Sequence, residues 1–79
     1  MEILKCYLDP FANKQMLKDG FTKEEYWVDT QDVCEEIYRL CNKKGYNKVS
    51  LEGSYLEGLT LMHKFANMYP GNDITFYTL

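Results

Sequence analysis

The sequence contains no long hydrophobic run, and no apolar stretch approaches the roughly 20 residues that a membrane-spanning helix needs. We therefore expect no membrane segment. The chain also does not open with the apolar segment of a secretory signal. Both absences favour a cytoplasmic location.

Basic residues are few and scattered along the chain. Lys and Arg together number 9 against 12 Asp and Glu, which gives a net charge of −3. The densest basic cluster is only Lys43, Lys44 and Lys48. A nucleic-acid-binding protein normally needs a basic stripe that neutralises phosphates. We therefore expect no nucleic-acid partner.

Close cysteine pairs are also missing. The three cysteines, Cys6, Cys34 and Cys41, form an odd set, which favours a reducing compartment over a disulfide framework. With His63, the only histidine, they have the composition of a Cys₃His zinc site. Structural zinc sites usually contain a C-x₂₋₄-C pair, however, and none is present. We assign no metal ligand, no cofactor and no catalytic residue.

Aromatic residues, by contrast, are abundant. Seven Tyr, four Phe and one Trp argue against disorder. A chain of 79 residues has room for one hydrophobic core, so we predict a single domain over residues 1–79. We see no internal repeat, linker or low-complexity segment.

Four segments have the composition of strands. Alternation of apolar and polar residues predicts the first strand over 2–8, which Asp9 and Pro10 end. Branched and aromatic residues predict the others over 22–28, 47–52 and 74–79. The first two could pair antiparallel. The intervening residues 9–22 are ambiguous, with a helical turn conceivable at 13–17 and a turn at 18–20.

Two segments have helical periodicity. The first runs from Asp29 to about Lys44, with Gly45 just beyond its end and one apolar face formed by Val33, Ile37, Leu40 and Cys41. The second follows a capping box, in which the Ser54 hydroxyl and the Glu57 carboxylate cap each other's N–H groups. It runs to about residue 69. Its predicted core face consists of Tyr55, Leu59, Met62, Ala66 and Tyr69.

The elements predict a β-β-α-β-α-β order. We expect a compact α/β (α+β) domain with a four-stranded mixed sheet and two helices, in which helical connections favour parallel strand pairs. Two helices on one face of such a sheet would leave the other face partly bare.

The turn Glu52-Gly53-Ser54 joins a predicted strand to a helix. Ligands of α/β proteins bind at such strand ends, and helix N-termini attract anions. These three residues are therefore a candidate ligand site, although the turn is far from a complete phosphate-binding motif. A tight turn followed by a helix cap explains the same residues without a ligand.

Carboxylates at strand ends suggest an enzymatic alternative. Asp9 and Glu52 end predicted strands and Asp73 begins one, so two of them could hold Mg²⁺. The element order resembles a shortened ribonuclease-H-like core, in which three strands normally precede the first helix. Under this alternative, a nuclease-like or small-ligand enzyme would use Asp9, Glu52, Ser54 and His63.

The aromatic residues exceed what one small core requires. Because Trp, Tyr and Met are enriched in interface cores, the surplus indicates an interaction surface or a homodimer. The interface candidates are Phe11, Tyr26, Trp27 and Tyr77.

The second half of the chain resembles small proteins of phages and mobile elements in Gram-positive bacteria. The resemblance rests on KVSLEG at 48–53, YLEGL at 55–59 and NDITF at 72–76. It implies a protein that binds and modulates a host protein, as an inhibitor or an anti-defence factor. We therefore predict a small non-enzymatic protein-binding module whose partner is another protein or a second copy.

Overall fold

The computed structural model describes residues 2–78. Met1 and Leu79 lie outside the described residues. They are the two ends of the predicted domain, and Leu79 is also the end of the last predicted strand. The described elements, in chain order, are β1 Leu4–Leu8, β2 Lys14–Asp19, β3 Glu25–Asp29, a short 3₁₀ turn Thr30–Asp32, α1 Val33–Lys44, β4 Lys48–Gly53, α2 Tyr55–Met68 and β5 Thr75–Thr78.

The sheet has five strands in the order β3-β2-β1-β4-β5. β2 pairs antiparallel with both β1 and β3, whereas β4 pairs parallel with β1 and with β5. The mixed sheet and the two helices were predicted correctly. The prediction of four strands was wrong, because β2 lies between the first two predicted strands and pairs with both.

β2 escaped prediction because two of its inward residues are polar. Gln15, Leu17 and Asp19 all face the helices and are buried. Only Leu17 has the apolar side chain that a buried strand position normally carries. Because Gln15 and Asp19 are polar, the segment lacks the alternation of apolar and polar residues that predicts a strand. Residues 14–19 are strand, so neither the helical turn expected at 13–17 nor the turn expected at 18–20 is present as such.

Both helices cover the same face of the sheet and contact each other. The core between the layers is formed by Leu4, Cys6, Leu17, Val28, Val33, Cys34, Ile37, Leu40, Cys41, Val49, Leu51 and Phe65. Side chains alternate between the two faces of a strand, so every second sheet residue points away from this core. Within residues 2–78, no helix covers the second sheet face, as the element order predicted.

α1 has the predicted apolar face. Val33, Ile37, Leu40 and Cys41 are all buried. Acidic residues occupy the first turn of α1 and lysines its last, an order that complements the helix dipole. Gly45 ends the helix in the left-handed conformation with φ of 74°, which a residue without Cβ adopts at little cost.

α2 is rotated relative to the prediction. The side that packs on the sheet carries Gly58 and Phe65, both buried, with Leu61, Met62 and Tyr69 against the core. A Cβ at position 58 would lie 3.1 Å from Thr78 Cγ2 and 3.7 Å from Leu51 Cβ. Gly58 therefore lets α2 approach the sheet above the gap between β4 and β5.

The predicted core face of α2 is accordingly wrong at three positions. Tyr55 is 62% exposed, Ala66 is exposed and Leu59 is only half-buried. α2 is apolar over more than half its circumference, so periodicity alone allowed two faces. The glycine at position 58, which has no apolar side chain to count, marks the face that packs closest.

Candidate functional site

The sheet face without helices, here called the open face, carries both aromatic and charged side chains. Strand alternation places on it Lys5, Tyr7, Met16, Lys18, Trp27, Ser50, Glu52 and Tyr77. Three of these, Tyr7, Met16 and Trp27, are large side chains at one end of the sheet. The others lie in or around a polar centre that contains Ser50 and Glu52.

Tyr7, Met16 and Trp27 form a continuous row across three strands. Tyr7 is the register partner of Met16, and Met16 is the register partner of Trp27. Directly opposed side chains lie roughly 5 Å apart and contact each other. A groove of about 320 Å³ runs beside this aromatic row, bordered also by Ala12 and Lys14. Trp27 is 65% exposed, so the row presents a large apolar surface to solvent.

The loop between β1 and β2 borders the same groove and is held by Gln15. The Gln15 side chain accepts from Asp9 N (2.6 Å) and donates to Asp9 O (2.7 Å) and to Thr30 Oγ1 (3.0 Å). Thr30 Oγ1 in turn donates to Ala12 O at 2.9 Å. These bonds fix the loop from beneath, so its ordering does not depend on Phe11.

Phe11, at the tip of this loop, is 96% exposed. Its N–H donates to Asp9 Oδ1 at 3.0 Å, which closes a local turn. Full exposure of a Phe costs solvation free energy, yet the anchored loop holds it in water. Phe11 and the aromatic row therefore lie at the same end of the sheet as two separate apolar projections.

The polar centre of the open face contains two unpartnered oxygens. Ser50 is fully buried although it points away from the helices, and its Oγ has no hydrogen-bond partner among the described residues. Glu52 Oε2 is also buried without a hydrogen bond, and Lys5 Nζ lies 3.9 Å from it. Lys5 and Tyr77 are the register neighbours of Ser50 on either side.

The four predicted interface residues do not form one cluster. Phe11 and Trp27 lie at the same end of the sheet, whereas Tyr77 is on the opposite edge strand, roughly 19 Å from Trp27 across four strand spacings. Tyr26 is on the other face of the sheet, half-buried, with Lys44 Nζ 5.4 Å from its ring centroid. Tyr26 and Trp27 are consecutive in a strand, so they could not share a face.

The turn Glu52-Gly53-Ser54 has a structural explanation at each residue. Gly53 has φ of 119°, and a Cβ there would lie 2.2 Å from Leu8 O, so only glycine fits beside β1. The Ser54 hydroxyl accepts from Glu57 N at 3.4 Å, which confirms the predicted cap. The reciprocal bond from the Glu57 carboxylate is not among the hydrogen bonds of residues 2–78. Glu57 instead borders a cavity of about 160 Å³.

Neither the 160 Å³ cavity nor the 320 Å³ groove is lined by more than one residue of the enzymatic alternative. Glu52 is on the open face, Ser54 caps α2, and His63 is exposed on α2. Asp9 borders the 160 Å³ cavity together with Glu57 and Lys64, at the carboxyl end of β1.

The acidic strand-end residues divide between the two ends of the sheet. Asp73 precedes β5, which runs parallel to β4, so it lies at the opposite end of the sheet from Asp9 and Glu52. Three strands do precede the first helix, as in a ribonuclease-H-like core. Within residues 2–78, no group of three or more His, Cys, Asp or Glu is arranged to hold a metal ion.

The cysteines are buried thiols. Burial raises the pKa of Cys6 to about 12, helped by nearby Cys34, and raises the pKa of Cys41 to about 11. Desolvation likewise raises the pKa of Cys34. Thiols kept protonated in this way are poor nucleophiles and poor metal ligands. His63 is on the exposed side of α2, so it does not join them.

Asp19 has the most perturbed carboxylate of the described chain, and its partners are all structural. Burial opposes its ionisation, but Lys44 Nζ at 2.5 Å and the N–H groups of Phe21 and Thr22 hold its pKa well below the usual range. Tyr46 OH donates to the same carboxylate. Asp19 is fully buried and lines none of the grooves described above, so it has no substrate access.

Sequence reasoning missed Tyr7 and Met16 as members of the candidate surface. Tyr7 was predicted in a strand, and its alternation with buried Cys6 was the available signal for the open face. Met16 could not be placed without β2. The row therefore became visible only when β2 was found between β1 and β3.

Comparison of the chain with protein-family models, with curated proteins and with solved structures finds no match. Within residues 2–78, no helix combines the length and apolar character needed to cross a membrane.

Proposed function

We propose that this protein is a small non-enzymatic binding module that holds a protein partner on its open face, through the aromatic row and Phe11. The observation that supports this proposal is the exposure of two large aromatic side chains at one end of the sheet, where Gln15 holds the loop between β1 and β2 in place. Trp27 is 65% exposed and Phe11 is 96% exposed. Aromatic anchors of this kind supply much of the binding free energy of protein interfaces.

The geometry fits a partner that inserts an apolar side chain. The 320 Å³ groove is lined mainly by apolar surface from Tyr7, Leu8, Met16 and Trp27. The loop is already fixed by Gln15, so docking orders few new groups and loses little entropy. Lys14 at the groove edge is paired with Asp29 at 3.0 Å, and this pair provides a polar rim.

The partner belongs, in this proposal, to the cell that hosts a phage or mobile element. This part rests on the resemblance of the segments at 48–53, 55–59 and 72–76, and it makes the protein an inhibitor or anti-defence factor. The proposal includes a cytoplasmic location, and the free, buried state of Cys6, Cys34 and Cys41 supports it, because cytosolic proteins rarely contain disulfides.

The test is affinity capture from a bacterial lysate with four immobilised baits: the parent chain, Trp27→Ala, Phe11→Ala and Phe21→Ala. Phe21 is the matched control, since it is 79% exposed in the loop at the far end of β2. We expect a stoichiometric partner that the Phe21 variant retains and the Trp27 variant loses. With the purified partner, Trp27→Ala should weaken binding by about 30-fold or more, the effect of a central anchor.

Equal capture by the parent and Trp27→Ala baits would remove the aromatic row from the binding surface. If no bait captures a partner, the proposal fails and the small-ligand alternative takes its place. The observation that favours that alternative is the 160 Å³ cavity at the carboxyl end of β1. Thermal melting with Mg²⁺, Mn²⁺, Zn²⁺ and nucleotides then tests it, because a ligand at 100 times its Kd adds about 2.7 kcal/mol of stability.

A further inference from the structure

The outer edge of β5 and the adjacent side of α2 form an uncharged surface that no other described element covers. Met62, Phe65, Ala66, Tyr69 and Phe76 border a groove of about 630 Å³ at this edge. Tyr55 and Leu59 continue the line of Met62 and Ala66 along α2 at helical spacing. This α2 stripe is the apolar face that the sequence predicted for the core.

The backbone of β5 presents free hydrogen-bonding groups at this edge. Thr75 N donates to Asn47 O at 2.8 Å, so Thr75 directs its N–H towards β4. Successive strand residues alternate, and therefore Phe76 and Thr78 direct their N–H and C=O groups outward. The N–H of Ile74 already donates to Asn72 Oδ1. Two residues thus remain for pairing with another strand.

Charge distinguishes the two edges of the sheet. The other edge strand, β3, has Glu25 and Asp29 at its ends. If β3 paired with its own copy about Trp27, these acids would face each other and repel. β5 consists of Thr75, Phe76, Tyr77 and Thr78 and carries no charge. Self-pairing is therefore disfavoured at β3 and free of repulsion at β5.

The position of α2 fits a second copy. Because Gly58 approaches both Leu51 of β4 and Thr78 of β5, α2 lies above the gap between these strands. Strands are spaced by about 4.8 Å, so pairing β5 with its copy would bring the two α2 axes roughly 10 Å apart. This matches the 8–10 Å spacing of packed helices. The two α2 stripes would then bury each other.

We propose that the protein forms a symmetric homodimer by antiparallel pairing of β5 with β5 of a second copy, centred on Tyr77. Phe76 lies opposite Thr78 of the second copy, and each such pair exchanges two hydrogen bonds. The two Tyr77 side chains meet on the open face, and the α2 stripes pack on the other. The result is one continuous sheet with an aromatic row and a Phe11 at each end.

Sedimentation velocity over a wide concentration series tests the dimer. The parent chain should reach twice the mass of one chain, whereas Ala66→Lys should remain monomeric because it places like charges in the helix seam. Asn67→Lys is the matched control, since it adds the same charge to the solvent side of α2. Both positions are exposed, and far-UV circular dichroism spectra that match the spectrum of the parent would show that both variants fold.

A cross-link tests the register. Residues of a non-hydrogen-bonded antiparallel pair have Cα atoms about 4.5 Å apart, within the range of a disulfide. Under mild oxidation Tyr77→Cys should form a covalent dimer, while Trp27→Cys on the opposite edge should not. The native cysteines are buried and give little background.

A parent chain that stays monomeric at every concentration would overturn the dimer, as would a partner of other chemistry seated on this edge of a monomer. A dimer that Ala66→Lys leaves intact, or a Tyr77→Cys dimer that does not cross-link, would contradict the proposed pairing. The result is independent of the proposed function, because Trp27→Ala should lose the partner and still dimerise.

Discussion

At the residue scale, the ion pair of Asp19 and Lys44 is the most exacting feature of the fold. Asp19 ends β2 in the core and also accepts from the loop N–H groups of Phe21 and Thr22. Lys44 reaches it from the last turn of α1 and lies against the rings of Tyr26 and Tyr46. This contact joins three elements, so its free energy depends on their relative positions.

Replacing Asp19 by Asn should lower the free energy of unfolding by about 3 kcal/mol at pH 7, because Lys44 is left with an unneutralised charge in a mostly buried site. The effect lies at the low end of the usual range, since Glu24 is 3.8 Å from Lys44 and can replace part of the lost partner. Urea unfolding measures it. A double variant, Asp19→Asn with Lys44→Met, should recover part of the loss.

The same pair makes stability depend on pH at the acid end. The pKa of Asp19 is lower in the folded chain than the unfolded value of about 3.9. Its contribution is therefore complete above that pH and is lost as the pH falls towards the folded pKa. We expect Asp19→Asn to flatten the decline of unfolding free energy below about pH 4. Equal acid slopes in the parent and the variant would show that other carboxylates dominate.

At the element scale, α2 contributes residues to two different surfaces. Its buried line, Gly58 and Phe65, packs on the sheet, and its lateral stripe borders the free edge of β5. Phe65 contacts Tyr38, Tyr69 and Phe76 through ring pairs with centroids 4.8 to 6.2 Å apart. The helix is therefore held through one aromatic cluster on its inner side.

Truncating Phe65 and Leu59 should distinguish the two faces of α2. Phe65→Ala removes a fully buried ring and should cost about 3–5 kcal/mol, enough to unfold so small a domain. At protein concentrations too low for the proposed dimer, Leu59→Ala should cost about 1 kcal/mol or less, because Leu59 is only half-buried in the single chain. Denaturant midpoints of the two variants provide the comparison. A larger loss for Leu59 than for Phe65 would restore the face first predicted from the sequence.

The start of α2 depends on its cap. Ser54→Ala removes the acceptor for Glu57 N and should lower the free energy of unfolding by about 0.5–2 kcal/mol. Ser54→Asp keeps an acceptor at this position and is the matched control, with stability close to that of the parent. An unchanged denaturant midpoint for Ser54→Ala would mean that water serves the N–H equally well.

At the scale of the whole molecule, three cysteine thiols are buried in one core, so their reactivity depends on its opening. Cys6 is on β1 in the sheet, while Cys34 and Cys41 are on α1, and all are at most 1% exposed. Burial raises the pKa of each thiol, to about 12 for Cys6 and about 11 for Cys41. A thiol reagent therefore needs an opening of the interface between the sheet and α1.

All three thiols should be modified at one common rate, set by the equilibrium for global unfolding, when opening and closing are fast relative to the reaction. Peptide mass mapping of a labelling time course measures each site. The raised pKa values also imply a loss of stability as pH rises above about 8.5, where unfolded thiols ionise and folded ones do not. Fast modification of one cysteine alone would reveal local opening instead.

Much of the fold could be predicted from the sequence, namely those elements in which the residue types fit the positions that they occupy. The apolar face of α1, the Gly45 terminus and the Ser54 cap were predicted because each depends on contacts within a few residues. β2 could not be predicted, since its inward Gln15 and Asp19 are satisfied in part by partners far along the chain: Thr30 for one and Lys44 for the other. Polar residues at these positions are typical of a loop, and only the folded chain brings the distant partners beside them.

The candidate site divides in the same way. By itself the sequence determined that aromatic residues exceed the needs of the core and that one sheet face stays bare, because composition and element order fix both. Only the tertiary structure decided which aromatics share a surface. Tyr7, Met16 and Trp27 meet because β2 aligns them, and Tyr26 turns inward because strand neighbours alternate. Cross-strand register sets these neighbours, and no local pattern in the chain encodes it.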